Sequence, residues 1–319
     1  MTTFPEAPDD TYDIIYLEDT DRPLPQKLNP GTRYAYFKTV ARGGKSIIQS
    51  CRDLHLGRTV CYKSLRPELA DNAIEQQRFL REARVSAMLQ HPNTVPTYEI
   101  GRDRAGKIYF TMKLVHGYTL REIFDYRERY DLVQLIDVII QIARPLAYAH
   151  SHRVVHRDIK PENILVGPFG EVLLLDWGLA KVWQKDGTPK DLPSQDSEDD
   201  PPAVPEDLSL TAHGKLDGTV AYMSPEQIQR DREIDFRTDI YSLGVVLYEL
   251  LAGRAPVEGD IVYEVTDQIV NEVPERPEKA GNRRVPKLLS DLTMACIEKD
   301  PLNRPASCGE IVRMLQEDW

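Results

Sequence analysis

A change of hydrophobic pattern near Gly117 constrains the fold of this chain more than any other feature. Before it, residues 34–65 carry short β-type runs such as SIIQSC and TVCYKSL between glycine turns, and residues 72–89 have helical periodicity. After it, residues 132–150 and 240–251 are strongly apolar and long enough for core helices. The pattern predicts an α+β fold in which a small antiparallel-sheet lobe with one main helix precedes a larger, mostly helical lobe.

The same patterns predict the domain boundaries. Residues 34–115 form the small lobe and residues 117–316 the larger one, so a single two-lobed domain covers residues 34–316. Residues 1–33 are polar and proline-bearing, and we expect a partly ordered extension there. Residues 183–208 are acidic, rich in proline and almost free of aliphatic side chains, so they bury too little surface to fold alone. We expect this insertion in the larger lobe to be an exposed, mobile loop.

Charge and cysteine spacing exclude several classes of protein. The formal net charge of -11 argues against non-specific binding to nucleic acid, which requires a basic face. The four cysteines are widely separated and lack the close spacing of a zinc site, so we expect reduced thiols. No stretch approaches the roughly 18 apolar residues of a membrane-spanning helix, and the first residues do not resemble a secretory signal. We therefore expect a cytoplasmic protein without a transmembrane segment.

Two motifs carry the most specific chemical signal. Residues 156–163 read HRDIKPEN, and residues 176–178 read DWG, thirteen positions after the first motif ends. The first resembles the catalytic loop of protein kinases, H-R-D-x-x-x-x-N, and the second occupies the place of their D-F-G. This resemblance to the protein kinase family covers roughly residues 34–316. It implies transfer of the γ-phosphoryl group of ATP, with Mg²⁺ as the metal cofactor.

The resemblance assigns a role to each polar residue of these motifs. Asp158 would be the base near the attacking hydroxyl, and Lys160 would neutralise charge on the transferring phosphate. Asn163 and Asp176 would hold magnesium, a hard cation that prefers carboxylate and amide oxygens. The catalytic residues predicted in this way are Asp158, Lys160 and Asn163, and the predicted metal ligands are Asn163 and Asp176.

The nucleotide site is predicted from the first lobe and the segment that follows it. Residues 60–63, VCYK, lie where the family carries V-A-I-K, which makes Lys63 the phosphate-binding lysine and Glu82 its partner. In YFTMKLV, residues 109–115, Met112 would be the gatekeeper, and the next two hydrophobic residues would offer backbone groups to adenine. The full set of predicted nucleotide-binding positions is Ala41, Gly43, Ile48, Cys61, Lys63, Glu82, Met112, Leu114, Val115 and Leu165.

Two departures from the family pattern concern nucleotide affinity. The glycine-rich loop, G-x-G-x-x-G in the family, aligns with residues 41–46, where only Gly43 matches and Ala41 and Ser46 replace glycines. Glycine permits positive φ and close approach of the backbone to phosphates, so we expect a stiffer or lifted flap. Cys61 replaces the small alanine that packs over adenine. Both changes predict weaker nucleotide binding than is usual in the family.

Residues 218–226, GTVAYMSPE, resemble the end of the family's activation segment. Glu226 is expected to form a buried ion pair with Arg304, and Asp239 to anchor the catalytic loop; all three are assigned to architecture. Lys160 and the Gly218-Thr219 pair both resemble serine/threonine kinases.

The resemblance also suggests substrate and regulatory residues. Thr219 would shape the substrate site, and Glu162 would favour basic substrate residues. Arg157 would receive a phosphate on the activation segment, with Thr211 as the first candidate acceptor and Ser209 as the second. A solvated loop hydroxyl with no regulatory role is the competing interpretation of both acceptors.

Segments such as RFLREARVSAMLQHPN resemble bacterial serine/threonine kinases of the eukaryotic type. The function predicted from this resemblance is phosphorylation of protein substrates on serine or threonine, with self-association for autophosphorylation. The first alternative is a pseudokinase, a binding module or scaffold that retains the fold. The second is a small-molecule kinase, a class that generally lacks the S-P-E anchor found here at residues 224–226.

Overall fold

The small lobe contains a five-stranded antiparallel sheet and one long helix. The computed structural model describes residues 33–126, 129–183, 189–190, 218–231, 234–259, 261–281 and 284–317. The sheet has the strand order β1-β2-β3-β5-β4. Its strands are β1 (Tyr34–Arg42), β2 (Ser46–Asp53), β3 (Arg58–Leu65), β4 (Thr97–Arg102) and β5 (Ile108–Lys113).

Helix α1 (Ala73–Met88) packs on one face of this sheet. Asn72 caps its first turn by accepting hydrogen bonds from the backbone N–H groups of residues 74 and 75. Phe79 and Ala83 face the sheet and pack in one apolar cluster with Phe110 of β5. The inward-facing residues of β3 and β5 thus fix the position of α1 on the sheet, and this packing places Glu82 over the sheet.

The larger lobe is built around helices that are apolar on most sides. Its helices are α2 (Leu120–Phe124), α3 (Leu132–Ser151), α4 (Pro225–Ile228), α5 (Arg237–Ala252), α6 (Val262–Asn271), α7 (Pro277–Ala280), α8 (Lys287–Cys296) and α9 (Cys308–Glu317). Every residue of α5 from Thr238 to Ala252 is buried, as expected for a helix in the middle of a core. Gly253 ends α5 with φ +83° and donates its N–H to the Glu249 carbonyl.

Short strands of the larger lobe carry the loops that the motifs occupy. One sheet has the order β6-β8-β9, with β6 (Tyr118–Thr119), β8 (Ile164–Val166) and β9 (Val172–Leu174). The other has the order β11-β10-β7, with β7 (Val154–Val155), β10 (Lys181–Trp183) and β11 (Pro189–Lys190). The α+β fold predicted from the sequence, with a small antiparallel lobe and a mostly helical one, is confirmed.

Two expectations from the sequence need correction. Helix α3 has 20 residues, and an 18-residue stretch within it has a mean hydropathy of 1.4, so by length and composition it does reach the size of a membrane span. Because 56% of that stretch is buried inside the fold, α3 has the character of a core helix. The insertion at 183–208 was expected to be loop throughout, yet Pro189 pairs with Trp183 across an antiparallel β10–β11 ladder. Ser209, Thr211 and the extension before residue 33 lie outside the described residues.

Candidate active site

The predicted catalytic-loop residues lie together around the Asp158 carboxylate. Lys160 Nζ lies 3.0 Å from Asp158 Oδ2. Asn163 Nδ2 donates to both the backbone oxygen and Oδ2 of Asp158, each at 2.8 Å. A 3₁₀ turn, Pro161–Asn163, bends the chain back so that residue 163 reaches residue 158. A cation and an amide therefore hold the carboxylate in one orientation.

His156 connects this loop to the DWG segment. The Asp158 backbone N–H donates to His156 Nδ1 at 3.2 Å, and His156 Nε2 lies 3.0 Å from the Leu175 carbonyl oxygen. These two bonds place the imidazole proton on Nε2. The ring is fully buried and lies against the Trp177 indole, with 4.5 Å between ring centroids. The residue before Asp176 is thus fixed to the catalytic loop.

Asp239 at the start of α5 anchors the catalytic loop from below, as the sequence predicted. Its carboxylate accepts the backbone N–H groups of His156 and Arg157, both at 2.8 Å, and lies 2.8 Å from His150 Nε2. Arg157 has φ +67°, a left-handed conformation that costs a non-glycine residue of order 1–3 kcal/mol. The fully buried Asp239 carboxylate stabilises that conformation through the N–H group of the strained residue.

The pKa values of the two acidic groups of the site shift in opposite directions. Burial raises the pKa of Asp158 above its ordinary value, and the charge of Lys160 only partly offsets this. Burial also acts to raise the pKa of Asp176, but the nearby charge of Lys63 and the N–H of Gly178 outweigh it, so that pKa is lowered. Asp158 is therefore the carboxylate with the greater affinity for a proton, as a base requires, whereas Asp176 stays ionised, as a metal ligand requires.

Lys63 reaches the predicted partner on α1. Its Nζ lies 2.5 Å from Glu82 Oε1, and the two side chains are 9% and 13% exposed. Burial acts to lower the pKa of Lys63, but the negative charges of Glu82 and Asp176 outweigh it and raise that pKa. The amine therefore stays charged inside the cleft and is available to a phosphate.

The donor set at Asn163 and Asp176 fits a magnesium ion. Because the Asn163 amide nitrogen is bonded to Asp158, its amide oxygen points the other way. Asp176 has φ +58° and accepts the Gly178 N–H on Oδ1 at 3.1 Å, which orients its carboxylate. One carboxylate and one amide oxygen suit a hard cation that binds partly through substrate phosphates. These two residues would hold the metal.

The sheet register brings several predicted nucleotide residues into line. On neighbouring strands, Ile48 lies opposite Lys63 and Cys61 lies opposite Met112. Cys61 is buried, and burial raises the pKa of its thiol to about 11, so the side chain packs as a neutral group.

The connection after β5 runs past Leu165. Leu114 and Val115 are half-buried between the end of β5 and Gly117. A Cβ atom at Gly117 would lie 2.3 Å from the Val166 oxygen and 2.9 Å from Leu165 Cδ2, so only glycine fits there. The connection between the lobes therefore lies directly against Leu165, one of the predicted nucleotide-binding residues.

Comparison with known proteins agrees with this geometry. The sequence model of the protein kinase domain matches residues 34–319. The chain belongs to the protein kinase family. A serine/threonine-protein kinase PknD of Protochlamydia amoebophila is 35% identical over 296 residues, which are 89% of this chain and 29% of that protein. The PknD of Chlamydia muridarum is 33% identical over 303 residues, covering 89% of this chain and 31% of its own.

A Clostridium perfringens protein named as a probable serine/threonine-protein kinase is 35% identical over 290 residues, or 90% of this chain and 38% of its own length. This chain thus spans about a third of the length of the curated relatives it matches. The similarity to bacterial serine/threonine kinases that the motifs suggested is confirmed.

The phosphate flap of this kinase is the β1–β2 hairpin. Gly43 N–H donates to the Ser46 carbonyl at 2.9 Å, and Ala41 lies opposite Ile48 next to a register shift in β1. Neither Gly43 nor Gly44 has positive φ in this hairpin. Lys45 ties the turn to α1 through Glu75 at 2.9 Å. The effect of the missing glycines on nucleotide affinity remains a prediction.

The described residues include three of the predicted substrate and regulatory residues. Arg157 Nε donates to the Leu179 carbonyl at 2.8 Å, so this arginine lies beside the segment that follows DWG. Thr219 lies in a 3₁₀ turn, Gly218–Tyr222. Glu162 pairs with Arg121 on α2 at 2.8 Å. The Glu162 carboxylate, which was predicted to favour basic substrate residues, is therefore already paired with a cation of the kinase itself.

The structural ion pair of the kinase is formed as predicted. Arg304 Nη1 and Nη2 bond Glu226 Oε1 and Oε2 at 2.6 and 2.9 Å, and both residues are buried. Arg304 also donates to the carbonyl oxygens of Arg237, Glu298 and Lys299. This pair fixes α4, and with it the end of the activation segment, to the helical core.

Sequence reasoning missed Arg121. This residue bonds Glu162 and also Glu249, which lies 128 positions later in the chain. No motif includes Arg121. The one signal for it in the sequence was Glu162, an acidic residue of the catalytic loop to which the motifs assigned no partner within the chain.

Proposed function

We propose that this kinase transfers the γ-phosphate of ATP to serine or threonine hydroxyls of protein substrates. The observation that carries the proposal is the Asp158 carboxylate, held by Lys160 and Asn163 close to Asp176 and to the Lys63–Glu82 pair. The names of the relatives support the choice of serine and threonine, as does lysine at position 160. The proposed substrates are other proteins and the serine and threonine hydroxyls of the kinase itself.

The chain's own residues account for each step of the chemistry. Asp158 accepts the proton of the attacking hydroxyl, and its raised pKa brings its basicity closer to what proton transfer needs. Lys160, 3.0 Å from Asp158, stabilises negative charge that develops on the transferring group. Lys63 holds the nucleotide phosphates while Glu82 orients it. Magnesium, bound by Asn163 and Asp176, would supply Lewis-acid neutralisation of the phosphate oxygens.

Localisation is part of the same proposal. We place the kinase in the cytoplasm, a location supported by the four cysteines, which are all buried free thiols. We propose self-association of the kinase only insofar as one copy phosphorylates the loop hydroxyls of another. Concentration dependence of the autophosphorylation rate tests it, since an intermolecular reaction accelerates with protein concentration and an intramolecular one does not.

The deciding experiment compares the wild type with Asp158→Asn. Transfer of label from γ-labelled ATP with magnesium, to the protein and to a basic test protein, is expected on serine and threonine in the wild type. Asp158→Asn should lose about 10²–10⁴-fold of that rate while its nucleotide affinity, measured by calorimetry, stays near the wild-type value. The matched control is Asp267→Asn, an exposed position on α6. A folded wild type that binds nucleotide and transfers nothing would instead establish the pseudokinase.

A further inference from the structure

Four side chains from four different segments meet next to the catalytic loop. Arg121 on α2 donates from Nε to Glu162 at 2.8 Å and from Nη1 to Glu249 at 2.5 Å. Its Nη2 also bonds Glu249, at 3.4 Å, and the Tyr222 hydroxyl. Tyr222 in turn donates its O–H to Glu249. We call Glu162, Glu249 and Tyr222 the acidic cleft and Arg121 its occupant.

The charges show what this cleft is built to hold. Its two carboxylates are shared by one guanidinium, so the four groups together carry net negative charge. The Glu249 side chain is 11% exposed, and without a cation it would be a largely buried, unpaired carboxylate. Burial, and secondarily the charge of Glu249, raises the pKa of Tyr222, so the phenol stays protonated and acts as a donor to that carboxylate. The cleft therefore requires a cation.

The geometry specifies a guanidinium in particular. The occupant uses Nε for one carboxylate and both Nη atoms for the other, a planar arrangement with donors in two directions. A lysine ammonium is a single compact charge and does not bridge two carboxylates in this way. A vacated cleft would therefore select arginine over lysine.

The cleft lies beside the base Asp158, where we expect a substrate chain to bind. Glu162 is four residues after the base Asp158, and its side chain is 44% exposed. Tyr222 ends the 3₁₀ turn that contains Thr219, in the segment expected to shape the substrate site. The Arg121 side chain is itself 33% exposed, so the occupied cleft opens to solvent beside the catalytic loop.

We propose that Arg121 fills an acidic subsite of this kinase and so prevents it from selecting substrates by an arginine at the position that faces α2. The substrates accepted there are those with a neutral or acidic side chain, and Arg121 is the specificity-determining residue. This inference rests on the proposed function, because it describes the substrate preference of that same site.

The test uses the full chain and a set of serine peptides that carry one arginine, lysine or alanine at each position flanking the acceptor. Wild type is expected to show no gain in kcat/KM from arginine at the one position that responds in Arg121→Ala. Arg121→Ala should raise the arginine-to-alanine ratio of kcat/KM at least about tenfold at one position, the value of one charge-assisted hydrogen bond. The gain from lysine should be smaller. The matched control, Arg276→Ala, removes an exposed arginine that also pairs with two acids and should leave the ratio unchanged.

A second variant keeps the proposal open to refutation if Arg121→Ala does not fold. Arg121→Ala with Glu249→Gln leaves no buried unpaired charge, and Glu162 alone should still raise the arginine ratio a few-fold. A folded form of either variant with the wild-type ratio overturns the proposal.

A binding measurement separates this inference from the function on which it rests. Methylguanidinium chloride should raise the Tm of Arg121→Ala above that in equimolar sodium chloride and should not do so for Arg276→Ala. No such rise in folded Arg121→Ala counts against the cleft as a guanidinium site. Absence of transfer by the wild type both to itself and to every peptide refutes the proposed function, whereas transfer with an unchanged arginine ratio in Arg121→Ala refutes only the role of Arg121.

Discussion

Replacement of Asp239 by asparagine tests whether the catalytic loop is strained and held from α5. The two carboxylate oxygens accept from three donors, with Oδ1 bonded to the Arg157 N–H and Oδ2 to the His156 N–H and His150. Asparagine replaces one of these two acceptor oxygens with an NH₂ group, which can only donate. Whichever way the amide is turned, at least one buried backbone N–H group faces an N–H₂ group in place of an oxygen.

The expected magnitude follows from these contacts. One hydrogen bond to a charged group is lost, worth about 1.5–3 kcal/mol, and one buried donor is left unsatisfied at about 1–3 kcal/mol. We therefore expect Asp239→Asn to lower the free energy of unfolding by roughly 3–5 kcal/mol and the Tm by roughly 6–20 °C, at about 2–4 °C per kcal/mol. Because Arg157 would relax from its left-handed conformation, Asp158 would move, and a shift near 1 Å costs about 10²-fold in rate.

The assay pairs thermal unfolding by circular dichroism with kcat for transfer from labelled ATP, below the unfolding temperature. Asp235→Asn is the matched control, because Asp235 is 36% exposed and pairs with Arg237 near the start of the same helix. Its loss should stay below about 1 kcal/mol. If Asp239→Asn unfolded within 2 °C of the wild type, measured side by side, and kept its kcat to within about twofold, the reasoning about the anchored loop would be wrong.

Two further predictions concern charge. The ionised form of Asp158 is lost as pH falls through its raised pKa, and the charge of Lys160 keeps that pKa lower than burial alone would make it. Lys160→Ala should therefore move the acidic limb of kcat/KM to higher pH. The same variant should lower kcat by about 10²-fold. A limb that stays in place or moves to lower pH would show that Lys160 does not act on Asp158. Glu226→Gln leaves the buried Arg304 without its counter-ion and should lower the free energy of unfolding in urea by about 3–5 kcal/mol. The exposed Glu278→Gln is its control at under about 1 kcal/mol, and equal losses in the two variants would contradict a buried pair.

The sequence was sufficient where chemistry ties residue types to short spacings. The contacts among Asp158, Lys160 and Asn163 follow from a loop of six residues, and the resemblance to the protein kinase family implied that Glu82 would pair with Lys63. Asp239 was found because the family motif includes it, although 81 positions separate it from Asp158.

The remainder depended on tertiary packing. Arg121 and Glu249 meet only because α2 and α5 pack in the same lobe, and neither residue type nor spacing encodes that contact. Pro189 pairs with β10 although its local composition is typical of a loop, since backbone pairing needs little side-chain identity. The extent of α3 was predicted to within one residue, but its apolar character was underestimated, because polar residues interrupt its apolar run without interrupting its buried face.

The burial of Trp177 gives this protein a built-in optical reporter. The indole is 3% exposed and lies against His156, and within the described residues its Nε1 has no hydrogen-bond partner. An indole in such apolar surroundings emits at shorter wavelength than one in water. Any rearrangement that turned the Asp176–Gly178 segment outward would bring Trp177 into contact with solvent and shift its emission to the red. The order of the metal-binding segment is therefore readable from tryptophan emission in the unlabelled protein.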